Sequence, residues 1–178
     1  MRRSIFCLIA VTMLSIAVAG ESAEKPAALT LKDMQGKKAT LRDLRGKIVV
    51  LNFWATWCGP CNAEMPMLVS AANSYDSQRV AFVGASVDAP ETQNKIAEYV
   101  RKLRIAYPIW VGATDDDMKR LRLGNSVPCT AFLDADGIVR ARILGQMRPG
   151  EIQERVDWLL RDRQGSAPPA VVTHLDEK

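Results

Sequence analysis

Cys58 and Cys61 are the residues of this chain best suited to chemistry: two thiols three positions apart, separated by Gly59-Pro60, in a sequence with four cysteines and one histidine. A helix that starts at Cys58 turns its unpaired first-turn N–H groups toward that sulfur, and their partial positive charge favours thiolate over thiol. A free cysteine titrates near ~8.5, and a helix N-terminus within a Cys-X-X-Cys motif lowers that value. Cys61, one helical turn later, lies on the same side, so the sulfurs can bond within ordinary disulfide geometry. The chemistry implied is thiol–disulfide exchange. Cys58 attacks a client disulfide to form a mixed disulfide, and Cys61 resolves it, so the client leaves reduced and the pair is left oxidised. Pro60 suits a first helical turn, where its missing N–H costs no hydrogen bond. A zinc half-site would need a second Cys or His pair, and the sole histidine, His174, stands alone near the C-terminus.

The elements around the pair read as an α/β fold. Residues 47–55 hold Ile48-Val49-Val50-Leu51-Asn52-Phe53-Trp54, a nearly continuous apolar and β-branched run expected of a central strand covered on both faces. Beyond Pro60, Met65, Leu68, Val69 and Ala72 recur at helical spacing, which puts Cys58 at a strand-to-helix junction. Residues 80–87 form a second buried strand, and Asp88-Ala89-Pro90-Glu91 opens a helix carrying Ile96, Tyr99, Val100 and Leu103. This βαβ alternation predicts a mixed sheet. Residues 107–111 form a short strand and residues 115–123 a helix stopped by Gly124. Residues 129–133 and 138–144 flank the hairpin signal Asp134-Ala135-Asp136-Gly137. The second of these strands alternates Val139, Ala141 and Ile143 with Arg140 and Arg142, as an edge strand with one wet face should. Ile152, Val156, Leu159 and Leu160 mark a last helix, and residues 29–32 and 38–41 an N-terminal hairpin.

Composition bounds the rest. With 48% hydrophobic and 25% charged residues, the chain of 178 residues is neither collagen-like, coiled-coil nor largely disordered. Arg2 and Arg3, an apolar stretch over residues 5–19 and Ala17-Val18-Ala19 form a secretory signal, residues 1–19. The stretch is shorter than the ~20 residues that cross a bilayer comfortably. Cleavage and release to the periplasm are expected, with an uncleaved membrane tether as the alternative. Cys7 lies too early in the stretch for a lipid-modified cysteine and reads as a small apolar residue of the signal. Export leads to a compartment where disulfides persist. Cys58, Cys61 and Cys129 then remain, and three cysteines cannot all pair within one chain. The formal charge of +4 drops to +2 without Arg2 and Arg3, too weak to argue for nucleic acid. A flexible lead (20–28), one domain (29–163) and a disordered Gly/Ser/Ala/Pro-rich tail (164–178) are expected, in a monomer.

The segment Phe53-Trp54-Ala55-Thr56-Trp57-Cys58-Gly59-Pro60-Cys61 after a buried strand, with Val127-Pro128 before a later one, resembles the thioredoxin superfamily over residues 29–160. The N-terminal hairpin and Asn62-Ala63-Glu64-Met65-Pro66 are similar to the exported TlpA/ResA/CcmG-type branch. The resemblance implies a thioredoxin-like three-layer sandwich, a mixed central sheet flanked by helices, with an N-terminal β-hairpin extension. It further implies reduction of client disulfides outside the cytoplasm, commonly during cytochrome c or copper-centre assembly, with no cofactor. An exported reductant needs electrons, so a membrane thiol transporter is inferred as donor. Gly59-Pro60 is the dipeptide of reducing thioredoxins. Pro128 matches the family's cis-proline, with Val127 offering its backbone to a client strand. Trp57, Gly59 and Pro60 join them as the expected client-binding surface.

Two departures stand out. Asn52 replaces the buried aspartate of cytosolic thioredoxin and cannot exchange protons. Glu64 matches the acidic residue of the TlpA/ResA branch, and a partly buried carboxylate has a raised pKa suited to accepting a thiol proton. The alternative is a solvated glutamate in an early helical turn. Cys129 replaces the usual threonine and reads as a small buried residue, or else as a third thiol near the pair. Two other functions compete on the same fold. A peroxiredoxin-type thiol peroxidase would have Pro and Thr or Ser seven and three positions before its cysteine, where this chain has Leu51 and Ala55. A copper-binding assembly factor would need a well-placed histidine, and His174 is expected in a loose tail.

Overall fold

In a computed structural model, which describes residues 24–175, the apolar run that leads to Cys58 is the central strand of the molecule. In chain order, the elements are β1 (Thr30–Asp33), β2 (Lys38–Thr40), a 3-10 turn (Leu41–Leu44), β3 (Ile48–Trp54), α1 (Gly59–Ser74) and β4 (Val80–Ser86). Then come a second 3-10 turn (Gln93–Lys95), α2 (Ile96–Lys102), β5 (Ile109–Val111), α3 (Asp115–Arg120), β6 (Cys129–Leu133), β7 (Val139–Leu144), α4 (Glu151–Leu160) and β8 (Val171–Thr173). Among the described residues, one sheet takes all eight strands, in the order β2-β1-β5-β4-β3-β6-β7-β8. β3 pairs in parallel with β4 and antiparallel with β6, so the sheet is mixed.

Every residue of β3 is buried, and its alternate side chains feed two cores. Ile48, Val50 and Trp54 pack with Met65 and Leu68 of α1, Ile96 of α2 and Ile152, Val156 and Leu159 of α4. Val49, Leu51 and Phe53 pack on the opposite face with Leu29, Leu31, Met118 and Leu123. A period of two along the strand therefore builds three layers, with the strand as the shared wall. The N-terminal hairpin turns on Asp33, whose Oδ1 accepts the N–H groups of Gln35 and Lys37 at 2.9 and 2.8 Å.

Four expectations need correction. The tail expected to be disordered carries β8, which pairs in parallel with β7 through Arg142↔Val171 and Leu144↔Thr173. The Gly/Ser/Pro composition describes the connector before it, whereas Val171-Val172-Thr173 is a β-branched run, and Val172 packs against the first core. As a result β7 is not the sheet edge: β8 is. The lead is also tied down at its end, where Ala27 N–H donates to the Gly137 carbonyl at 2.8 Å. α3 is shorter than the residues 115–123 read from the pattern, its last turn unwinding before Gly124, which has φ 76°. The signal segment 1–19, with Cys7, lies outside the described residues. Among the described residues, no helix is long and apolar enough to cross a membrane.

Candidate active site

Cys58 is the N-cap of α1, in extended conformation, with Pro60 in the first helical turn. Its Sγ accepts the Cys61 N–H at 3.2 Å. Cys58 and Cys61 form a disulfide with Cα atoms 5.3 Å apart. Cys58 retains 4% exposure and Cys61 none, so the sulfur nearer solvent is also the one that receives a first-turn amide. That amide is a ready donor to a thiolate when the bond is reduced.

The turn before Cys58 is fixed by a residue that sequence reasoning missed. Asp88, just after β4, accepts the Thr56 N–H at 2.9 Å and the Thr56 hydroxyl at 2.6 Å, and its Oδ2 also accepts the Ser86 hydroxyl at 2.8 Å. It is buried, so this clasp binds the motif to the neighbouring strand in a place where water cannot replace it. Only its position after a strand, among Ser and Pro, signalled anything, and that signal reads equally as a helix entry.

β6 runs antiparallel to β3 with Cys129 opposite Phe53, which sets the residues just before β6 at the end of the sheet where Cys58 follows β3. The Val127–Pro128 bond there is cis. The Pro128 carbonyl accepts the Gly145 N–H at 2.9 Å, while no backbone hydrogen bond among the described residues engages Val127. Trp57 is 63% exposed. It walls one groove together with Val87, Ala113, Met118 and Val127. The structure thus brings Trp57 and Val127 into one groove, with Gly59 and Pro60 exposed at the start of α1.

Glu64 lies one turn beyond Cys61 on the buried face of α1, and its 1% exposure excludes the solvated alternative. Its Oε1 accepts from Asn52 Nδ2 at 2.8 Å and its Oε2 from Met147 N–H at 2.8 Å. Asn52 Nδ2 also donates to the Thr130 hydroxyl at 3.0 Å. Burial pushes the carboxyl up to about 7; the bonds from Met147 and Asn52 oppose the shift, and the Glu151 charge adds to it. Asn52 thus serves as a neutral donor to a carboxyl supplied by the neighbouring helix. Met147 could not have been found from sequence, because its contribution is a backbone amide. Cys129 is buried with its Sγ 3.6 Å from Met118 Sδ, and burial pushes its thiol up to about 12. His174 is not loose: it is half-buried, and its Nε2 lies 3.0 Å from Glu151 Oε1.

Comparison with known proteins agrees with this geometry. The AhpC/TSA family matches residues 23–142. The thiol-disulfide oxidoreductase ResA of Bacillus cereus is 31% identical over 121 residues, 68% of this chain and 68% of the relative. ResA of Geobacillus thermodenitrificans is 31% identical over 127 residues, 71% of each chain. A solved thiol:disulfide interchange protein of the thioredoxin family from Chlorobium tepidum TLS superposes with a TM-score of 0.67 at 26% identity, covering 79% of this chain and 99% of that one. A paired Cys58–Cys61 at the mouth of a thioredoxin-like sheet and these relatives lead to one assignment: the chain belongs to the AhpC/TSA family and is a thiol-disulfide oxidoreductase of the ResA type.

Proposed function

We propose that this protein reduces disulfides in exported client proteins, in the periplasm, by attack of Cys58 and resolution by Cys61. The observation that carries the reading is the Cys61 N–H on Cys58 Sγ at the start of α1. In the reduced protein the Cys58 thiolate attacks one sulfur of a client disulfide, and the other client sulfur leaves as a thiolate and takes a proton. Cys61 gives its proton to Glu64, attacks Cys58 Sγ and releases the second client thiol. Two electrons have passed to the client and Cys58–Cys61 is oxidised. A carboxyl titrating at about 7 is matched to accepting that proton near neutrality.

The client-binding surface is Trp57, Gly59, Pro60, Val127 and Pro128. An extended client segment pairs with the Val127 main chain, which gives affinity without demanding a particular sequence. Cytochrome c and copper-centre assembly are the processes that supply such clients, and a membrane thiol transporter returns the protein to the dithiol state. The protein acts as a monomer, released into the periplasm or tethered there by residues 1–19. The peroxidase alternative is disfavoured because Leu51 and Ala55, both fully buried, stand where that chemistry places proline and a hydroxyl. The copper alternative is disfavoured because His174 is taken up by Glu151.

The test is Cys61→Ser expressed in the native host. The expected result is a set of stalled mixed disulfides on Cys58, containing both clients and the electron donor, and absent from a Cys58→Ser, Cys61→Ser double variant. Failure of Cys61→Ser to accumulate any adduct would overturn the reading.

A further inference from the structure

The C-terminal strand reaches the active-site end of the sheet through contacts that the exchange chemistry does not itself use. The loop between β7 and α4, residues 145–150, gives the Met147 N–H to Glu64 and the Gly145 N–H to Pro128. Its other side is held by two anchors. The Arg148 N–H donates to Glu151 Oε2 at 2.7 Å, and His174 Nε2 lies 3.0 and 3.2 Å from the two Glu151 oxygens. The His174 N–H also donates to the Leu144 carbonyl at 2.7 Å. Gly145 has φ 94°, and a Cβ there would lie 2.9 Å from the His174 carbonyl carbon. Glycine is required by conformation and by space, so the loop and the end of β8 are fitted to each other.

We propose that His174 is a positioning residue for Glu64: by clamping Glu151 and the start of the 145–150 loop, the C-terminal strand holds the Met147 N–H on the carboxyl group that serves Cys61. The inference rests on the reading of Glu64 as proton acceptor. Glu64 interacts with Asn52 of β3, Cys129 of β6, Tyr99 of α2, Tyr107 ahead of β5 and Glu151 of α4. Of these, Glu151 is the one that His174 contacts. The Met147 bond lowers the Glu64 pKa and the Glu151 charge raises it. Freeing the loop weakens the first effect, so loss of His174 moves Glu64 upward through the Met147 bond.

The test uses the full-length oxidised protein. The Glu64 titration midpoint is read from the NMR shift of its carboxyl carbon, with hydrogen exchange of the Met147 amide measured on the same samples. His174→Ala is expected to raise the midpoint by about half a pH unit and to speed exchange at Met147. His174→Gln, whose amide still donates to Glu151, returns both toward wild type. Glu151→Gln keeps one acceptor oxygen but removes the charge, and it lowers the midpoint. The exchange activity of His174→Ala shifts its pH profile upward, with about a twofold loss of rate at pH 7. An unchanged midpoint and unchanged Met147 exchange in His174→Ala overturn the clamp. Glu64→Gln keeps the two readings apart: if it leaves the activity profile untouched, the proton role fails, while the midpoint comparison still decides the clamp.

Discussion

At Glu64, desolvation outweighs two hydrogen bonds, and the carboxyl titrates at about 7 rather than its ordinary 4.5. The same displacement that suits proton transfer costs stability. Below pH 4.5 both folded and unfolded chains hold the proton. Between 4.5 and 7 the unfolded chain releases it while the folded chain keeps it, so stability declines as pH rises, by about 3 kcal/mol across the window. Above 7 the loss is complete. Glu64→Gln removes this slope. Urea unfolding of the oxidised proteins should show the variant gaining about 3 kcal/mol relative to wild type between pH 4 and pH 8, whatever fixed offset the amide introduces. A gap that does not change with pH would contradict the buried, raised carboxyl. The two cysteines were legible in the sequence because spacing along one helix decides which side chains share a face, and Glu64 because it matches the acidic residue of the TlpA/ResA branch. Their partners were not: Met147 acts through its main chain, and Asn52 and Thr130 meet across strands far apart in sequence.

At the scale of elements, the strand-to-helix junction is held by more than the helix it starts. Asp88 takes the Thr56 amide and hydroxyl and the Ser86 hydroxyl in a buried setting. Asp88→Ala leaves these donors without an acceptor, and the expected loss is about 2–4 kcal/mol of unfolding free energy. Chemical denaturation of the oxidised variant measures it; a loss below about 0.5 kcal/mol would mean that the clasp is not structural. β3 and α1 were readable because a seven-residue buried run and helical spacing are strong local patterns. β8 was not, because its three residues follow a Gly- and Pro-rich connector and gain their order from pairing with β7 and from His174, both long-range effects. Asp88 misled for the opposite reason: a good local helix-entry signal lost to a contact with Thr56, thirty-two residues earlier.

Across the whole molecule, the sheet gathers its chemistry at one end. The C-terminal end of β3 leads to Cys58, antiparallel pairing puts the cis Val127–Pro128 bond beside it, and the return from β7 supplies the amides of Gly145 and Met147. The alternation of apolar strands and amphipathic helices implied the mixed sheet, and the family resemblance implied its three layers. The closing of one edge by the C-terminal strand was not, since composition alone favours disorder there. One end of the sheet therefore gathers the Cys58–Cys61 pair, the buried Glu64 carboxyl and the groove walled by Trp57 and Val127.

The central claim is that Cys58 is held as a reactive thiolate by the first-turn amide of α1. The most direct measurement is a titration of the reduced Cys61→Ser protein followed by thiolate ultraviolet absorbance, against a Cys58→Ser, Cys61→Ser control that removes any signal from Cys129. The account predicts a Cys58 midpoint clearly below the ~8.5 of a free cysteine. A midpoint at or above that value would contradict it.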